Sequence, residues 1–148
     1  MNKYLLALIF LPSVCISADG VGVARDADLN AIAKEGAYAC TVHFRNAAPP
    51  IGSAVLAVGR GYPLKVAFQL FSEGGAVMKM AQLPDMKFDT KSPLTTSYVY
   101  RQPDKGFPLK KLNMVFIDPV NGISASIYEE INGKTSKELS IKNCKDVQ

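Results

Sequence analysis

Alternation of apolar and polar residues with a period of two constrains this chain more than any other feature of its sequence. In the segment LKVAFQL, residues 64–70, a large apolar side chain occupies every second position. Successive side chains of a strand point to opposite faces of a sheet, so this spacing predicts a strand with one buried face. The same period begins in AYACTVHF, residues 37–44, and recurs in further segments as far as the C terminus.

Turn-forming residues separate these segments. The proline pair at 49–50, GRGYP at 59–63 and the Asn-Gly pairs at 121–122 and 132–133 end or connect strands. Residues 25–36 predict one short helix, with Asp26 as its N-cap and Gly36 as its stop. We count about eight short strands. The predicted fold is mainly β, a small antiparallel β-barrel with that one N-terminal helix, and a two-sheet β-sandwich is the alternative.

Three finer predictions follow from the alternation. Leu112, Met114 and Phe116 are expected to face the core from one strand. Met78 and Met80 share a face of another strand, where methionine commonly fills core space. Residues 86–89 are expected to form a brief separate strand after a turn.

The first eighteen residues have the layout of a secretory signal peptide. An early lysine precedes an apolar run, Pro12 interrupts it, and small residues stand at Ser17 and Ala18. The run is shorter than the ~20 residues that a helix needs to cross a bilayer, so no stable membrane insertion is expected. Cys15 follows Val14, whereas bacterial lipid-attachment cysteines follow a small residue. We therefore predict cleavage near residue 18 and a periplasmic or secreted location.

Cleavage would leave residues 19–148, a single domain of 130 residues. Without Lys3 the 17 lysines and arginines become 16, against 13 acidic residues, so the net charge is +3. These basic residues form no cluster of the kind that binds nucleic acid, and nucleic acid is not an expected partner. No cofactor is expected either.

Cleavage also leaves two cysteines, Cys40 and Cys144, in a compartment where thiol pairs are normally oxidised. We predict a disulfide between them, which would tie the first strand to the last and favour a closed sheet. His43, the only histidine, is three residues from Cys40, so the two side chains point to opposite faces of a strand. This spacing argues against a shared catalytic or metal site, and His43 is expected to face solvent or a partner.

The sequence offers no recognisable catalytic set. With one histidine any Ser-His-Asp triad must use His43, and no GxSxG elbow is present. Glu129 and Glu130 are adjacent and point apart on a strand, unlike the paired carboxylates of glycoside hydrolases. The chain is therefore expected not to be an enzyme, although an uncharacterised activity is kept as a third possibility.

Met78 and Met80 carry the one metal hypothesis. Two soft thioethers on one strand face suit Cu(I), and Met86, Met114 or His43 could complete the site. The Met-x-Met pair is similar, over three residues, to that of small exported β-barrels that carry copper with a histidine. We favour core filling for these methionines, so no metal site is predicted and copper carriage is kept as an alternative.

The predicted partner-binding patch lies in the second half of the chain. It comprises Tyr98, Tyr100, Arg101, Lys105, Phe107, Lys110 and Lys111. Aromatic and arginine side chains commonly anchor interfaces, and an apolar Phe107 between glycine and proline on a loop is difficult to place in a core. In the alternative interpretation, the tyrosines lie at the core margin and the lysines are simply solvated.

The leading functional hypothesis is an exported, non-enzymatic protein that binds or inhibits another protein, of the inhibitor or immunity type. The segment YAC at 38–40 resembles the Tyr-x-Cys near the start of exported lysozyme inhibitors, and none of their further motif occurs here. The alternative is a carrier, either lipocalin-like with an internal apolar cavity or a Cu(I) carrier.

Overall fold

The computed structural model describes residues 18–45, 47–102 and 109–147, without the side chains of residue 84 and residues 109–111. Residues 1–17 of the predicted signal peptide lie outside this part of the chain. The strands are β1 (Val23–Arg25), β2 (Ala31–Ala33), β3 (Gly36–Phe44), β4 (Gly52–Val58), β5 (Leu64–Ser72), β6 (Val77–Thr90), β7 (Thr96–Arg101), β8 (Leu109–Asp118), β9 (Gly122–Ile131) and β10 (Lys134–Asp146). Strands account for 67% of the structure, which confirms the mainly β prediction.

Eight of these strands form one large antiparallel sheet whose pairing order is closed. The order runs from β10 through β3 to β9, and β10 pairs with both β3 and β9. Every strand of this closed sheet therefore has a neighbour on each side. The hairpin turns use the predicted residues, because Gly122 has a φ of 80° and Asn132 and Gly133 have φ values of 50° and 75°.

The core lies inside the closed sheet and consists of the alternate side chains that point inward. Its largest fully buried members are Tyr38, Leu56, Leu64, Leu70, Met86, Ile117, Ile123, Ile127, Ile141, Val42, Val66 and Val115. Among the described residues, the space left between Leu56, Val66 and Ile127 has a volume of only about 10 Å³, whereas a pocket of about 270 Å³ is lined by Phe68, Leu83, Tyr100 and Asn113. The centre of the core is therefore closely packed.

The predicted N-terminal helix is wrong. Residues 25–36 belong largely to a two-stranded hairpin in which β1 pairs with β2, and no helix occurs in the described part of the chain. Asp26 does accept capping hydrogen bonds, from the backbone N–H groups of Asp28 at 3.0 Å and Asn30 at 2.9 Å. Leu29 then adopts a left-handed φ of 63°, which turns the chain back into β2. An Asp cap therefore starts a turn here, since aspartate stabilises both structures.

The predicted orientation of β8 is also wrong. Val115 lies opposite Tyr98 of β7 and Ala125 of β9, both buried, so Val115 points inward. Of the residues predicted to face the core, Met114 and Phe116 consequently point outward and are half-buried. Leu112 belongs to the same alternate set but is only 8% exposed, so its predicted burial is confirmed. Large apolar side chains occupy both sets of alternate positions in this strand. The sequence pattern alone therefore does not show which set faces the core, and the pairing with neighbouring strands determines it.

In β6 the methionines lie on the outer face and are not core residues. Met78 and Met80 are 51% and 69% exposed, because Ala81 and Leu83 take the inward positions opposite Phe68 and Val66. The predicted brief strand at 86–89 is the second half of this same strand. A register shift, with Asp85 at a φ of 58°, joins the two halves.

A disulfide joins Cys40 in β3 to Cys144 in β10, consistent with the predicted bridge. The two cysteines are 104 residues apart in sequence, so the bond encloses almost the whole sheet in one covalent loop. Such a loop restricts the unfolded chain far more than it restricts the folded one.

We expect loss of this bond to destabilise the fold without changing it. Replacing both cysteines, Cys40→Ala and Cys144→Ala, should lower the free energy of unfolding by roughly 2–5 kcal/mol, the usual effect of a disulfide that closes a long loop. Urea denaturation of the oxidised, reduced and double-alanine proteins measures the difference. Equal unfolding midpoints for all three proteins would contradict this role.

Candidate functional site

The structure does not bring the predicted patch together on one exposed surface. Tyr98 is only 3% exposed, and its hydroxyl oxygen accepts a hydrogen bond from the Ala33 N–H at 3.1 Å. Tyr100 shares the inward face of β7 and is half-buried, whereas Arg101 is exposed and lies 3.8 Å from Glu130. Lys105 and Phe107 are outside the described residues, as are the side chains of residues 110 and 111.

The residues considered for copper are also separated. Met78 and Met80 lie on β6, and His43 lies on β3, with β4 and β5 between them. At a strand spacing of ~4.8 Å, three spacings place His43 about 14 Å from the methionines, too far to share a metal ion. His43 is 4% exposed, which contradicts the expected solvent-facing or partner-facing position. Its ring nitrogens lie 2.9 Å from Thr41 Oγ1 and 3.1 Å from the Ala47 carbonyl oxygen.

A different candidate site emerges at one end of the closed sheet. Because neighbouring strands are antiparallel, successive connections lie alternately at its two ends. Residues 59–63, 91–95 and 119–121 therefore connect strands at the same end. The β1–β2 hairpin lies over this end, where the Gly20 N–H donates to the Pro119 carbonyl at 2.7 Å and the Ala31 N–H to the Ser92 carbonyl at 3.0 Å. We call it the capped end.

Each of the four segments at the capped end presents one large apolar side chain to solvent. The exposed fractions are 68% for Leu29 in the hairpin, 56% for Tyr62, 81% for Leu94 and 85% for Val120. Leu94 and Val120 have the highest values among the exposed large hydrophobic residues of the described chain. We call these four residues the apolar tips.

Arg25 fixes the hairpin tip against the neighbouring loop. One guanidinium nitrogen donates to the carbonyl oxygens of Leu29, at 3.0 Å, and Pro93, at 2.6 Å. Two other guanidinium nitrogens bind the Asp19 carboxylate at 3.0 and 2.7 Å. The backbone at Leu29 and the backbone preceding Leu94 are therefore joined through a single side chain.

Asp26 makes a second connection between the same two segments. Its carboxylate forms an ion pair with Lys91 and accepts the two backbone hydrogen bonds of the hairpin turn. The hydrogen bond from Lys91 is the main cause that lowers the pKa of Asp26 to about 2, with further hydrogen bonds from Asn30 and Asp28. The carboxylate is thus ionised throughout the ordinary pH range.

Tyr62 stands on a stack of aromatic rings that leads from the surface into the core. Its ring lies 4.6 Å from that of Phe88 with an interplanar angle of 10°, and Phe88 lies 4.8 Å from Tyr98. The Lys91 ammonium group is 5.2 Å from the centre of the Phe88 ring, a favourable position for a cation over an aromatic face. The exposed Tyr62 ring therefore has a rigid support.

Val120 occupies the β8–β9 turn, which Asp118 holds. The Asp118 carboxylate accepts hydrogen bonds from the backbone N–H groups of Val120, at 2.7 Å, and Asn121, at 3.1 Å. A hydrogen bond from the Asn121 side chain is the main cause that lowers the pKa of Asp118, and the two backbone hydrogen bonds lower it further. Gly122 packs closely on the N-terminal segment, and a Cβ atom there would lie 2.6 Å from the Val21 carbonyl oxygen. The turn is thus fixed from both sides.

The capped end has the chemistry of a binding surface. Its apolar tips are surrounded by ion pairs, including Arg60 with Glu35 at 3.2 Å, and apolar contacts within a polar rim are typical of protein interfaces. Within the described ranges, no three His, Cys, Asp or Glu residues are grouped as metal ligands. No helix in the same ranges is long and apolar enough to cross a membrane.

Sequence reasoning did not single out the apolar tips. Tyr62 lies within the predicted GRGYP turn, Val120 directly precedes the predicted Asn-Gly turn at 121–122, and Leu29 lies within residues 25–36, where the predicted helix does not form. The available signal is the alternation of connections in an antiparallel sheet, which places every second turn at the same end. This alternation places a turn at the correct end only if the strands are counted correctly. Because the sequence predicts two strands where the structure has the single strand β6, the later turns are assigned to the wrong end.

No protein-family model matches this chain, and no curated protein or solved structure is significantly similar to it.

We expect acid to release the hairpin from the capped end. The pKa of Asp26 is lowered in the folded state, so its stabilising contribution is complete above its unfolded pKa of ~3.9 and disappears as the pH falls towards about 2. The protection factor of the Asn30 amide, which compares its exchange rate with that of an unstructured peptide at the same pH, should fall over this interval. In Asp26→Asn, which can still accept the turn hydrogen bonds, this acid-dependent fall should be absent.

The matched control is Asp28→Asn, because Asp28 is an exposed carboxylate of the same hairpin. It should exchange as the unmodified protein does. The same acid-dependent exchange in Asp26→Asn would show that another group holds the hairpin.

Proposed function

We propose that this chain is an exported, non-enzymatic protein that binds and blocks another protein, of the inhibitor or immunity type, through its capped end. The observation that carries the proposal is the set of four apolar tips, each on a backbone fixed by hydrogen bonds or ring stacking. The closed order of strand pairing supports the small-barrel form of the predicted fold as the scaffold of this site. The Cys40–Cys144 disulfide is compatible with an oxidising, extracellular compartment.

Fixed loops favour binding because association costs conformational entropy. A loop that is already held in its bound shape loses little freedom when a partner covers it, so more of the contact energy appears as affinity. Arg25, Asp26 and Asp118 hold three of the four segments in this way. Binding residues in many proteins lie on loops that a rigid scaffold positions.

The conformation of Leu29 gives separate support. Leucine rarely adopts a φ of 63°, since its Cβ crowds the backbone there, yet the side chain is 68% exposed and contributes little to the core. Backbone strain is concentrated at functional sites in many proteins. A partner that buries Leu29 would explain why the hairpin presents it.

The carrier alternative has less support. The space among the central core residues, about 10 Å³, has room for no more than about one water molecule. The pocket lined by Phe68, Leu83, Tyr100 and Asn113 measures about 270 Å³, slightly below the roughly 300–1,000 Å³ of ligand pockets. For Cu(I), the structure offers only the thioethers of Met78 and Met80, because His43 lies too far from them to bind the same ion.

Site-specific photo-cross-linking tests the proposal. Leu94→p-benzoylphenylalanine, in the processed protein and exposed to the exported proteins of the source cells, should give one major adduct of defined mass. Ile131→p-benzoylphenylalanine is the matched control, because Ile131 is 48% exposed at the opposite end of the sheet. An adduct from position 131 and none from position 94 would refute the capped end as the docking site.

With the partner identified, substitution of the tips measures their contribution. Leu94→Ala and Leu29→Ala should each weaken binding roughly 10- to 30-fold, the loss expected for an apolar anchor at an interface centre. Ile131→Ala should leave the affinity unchanged, and the melting temperatures of all three should agree within a few degrees. Undiminished affinity of both tip variants would contradict the proposal.

A further inference from the structure

The outer surface of strands β4 to β6 carries a second distinctive region. Strand register places Val55, Gln69 and Met80 side by side in one row, and Ala57, Ala67 and Gln82 in the next. We call these six residues the uncharged face. They line a shallow groove with a volume of about 530 Å³. This region is separate from the capped end, since it consists of the middle portions of strands.

No ionisable side chain occurs in either row, and the adjacent row continues the pattern. Ser53, Phe71 and Val77 lie next to one another there, and Val77 is 53% exposed. Charged residues begin only at the margin, for example at Lys65, which is exposed at the start of β5. Contiguous, largely apolar regions of several hundred Å² on a protein surface often mark interaction sites, so this uncharged region is a candidate interface.

The dimensions of the region suit protein contact. Three strands at ~4.8 Å spacing and three rows at ~6.8 Å give a flat area of about 300 Å², and the exposed methionines and the margin extend it. The largest apolar patch on a typical monomer measures ~300–600 Å² and is often functional. The area of about 300 Å² is smaller than the ~800 Å² that each partner contributes to a standard interface, so the contact is expected to be of modest affinity.

The shape of the uncharged face is complementary to itself. Ala57 and Ala67 form a floor of small side chains, whereas Met80, 69% exposed, projects beside them. Under a twofold rotation, each Met80 can enter the alanine floor of the other copy, and residue pairs repeat symmetrically as in isologous interfaces. Gln69 and Gln82 supply amide donors and acceptors that can pair across such a contact.

The charge of the protein also favours contact between two copies through the uncharged face over contact through other parts of their surfaces. Without residues 1–18 the chain has a net charge of +3, so two copies of the processed protein repel each other over most of their surfaces. Contact through a region without charged groups brings no like charges together. We propose that the uncharged face is the interface of a symmetric homodimer, which leaves both capped ends free for the partner.

Sedimentation equilibrium of the processed protein tests this proposal. The mass should rise from monomer to twice that value with concentration. Ala67→Lys places a charge in the centre of the contact and should weaken dimerisation at least 10-fold. Ser124→Lys is the matched control, because it adds the same charge to an outward position of β9 and should dimerise as the unmodified protein does.

Cysteine cross-linking supplies a second measurement that does not depend on a charged variant. A mixture of Met80→Cys and Ala67→Cys proteins, treated with a short bis-maleimide, should form the mixed dimer in clear excess over either homodimer. If sedimentation equilibrium gives the monomer mass at every protein concentration up to ~1 mM, where even a weak dimer would form, the proposal is overturned. Equal effects of Ala67→Lys and Ser124→Lys would also overturn it, since the face would then have no special role.

Discussion

The pairing of β10 with β3 is the contact on which the rest of this structure depends. Without it the chain would be a meander of hairpins with two open edges, and its core would be uncovered along one side. The Cys40–Cys144 bond lies within this pairing, so the covalent link reinforces the hydrogen-bonded contact that spans the longest sequence separation. Formation of such distant contacts is the entropically costly step in building a sheet of this kind.

Closure also separates the tasks of the molecule in space. The inward side chains form the core, so both proposed binding surfaces lie on the remaining parts of the sheet. The capped end consists of connections between strands, and the uncharged face consists of outward side chains of the strands. In the first, irregular segments are fixed by Arg25, Asp26 and Asp118, and in the second the regular strand register itself arranges the side chains. A carboxylate that accepts several hydrogen bonds at once can hold a segment of irregular backbone in one conformation.

Much of the sheet could be predicted from the sequence, because burial of one face imposes a period of two. Where only one set of alternate residues is apolar, as in β5, the pattern also gives the correct orientation. In β8 large apolar residues occupy both sets, and only the pairing of Val115 with Tyr98 and Ala125 determines which set is buried. Local patterns carry no information about such pairing.

The errors at the N terminus and at the site have related causes. Asp26 caps a turn as readily as a helix, and the outcome depends on contacts with Lys91 and Pro93 that are more than sixty residues away. His43 is likewise buried, and its ring nitrogens lie within hydrogen-bond distance of Thr41 Oγ1 and the Ala47 carbonyl oxygen, which are contacts that no strand pattern reveals. Tyr98 was predicted to lie in a surface patch because its residue type is common at interfaces, but its partners place it in the core.

The scattered origin of the apolar tips has a consequence for how this protein could change. The four residues come from separate hairpins, and none of them fills the interior. Each loop could therefore vary independently while the packed sheet stays intact, and a new partner could be accommodated by stepwise exchange of single loops. If the proposed binding role is correct, such a scaffold would allow specificity to change without loss of the fold.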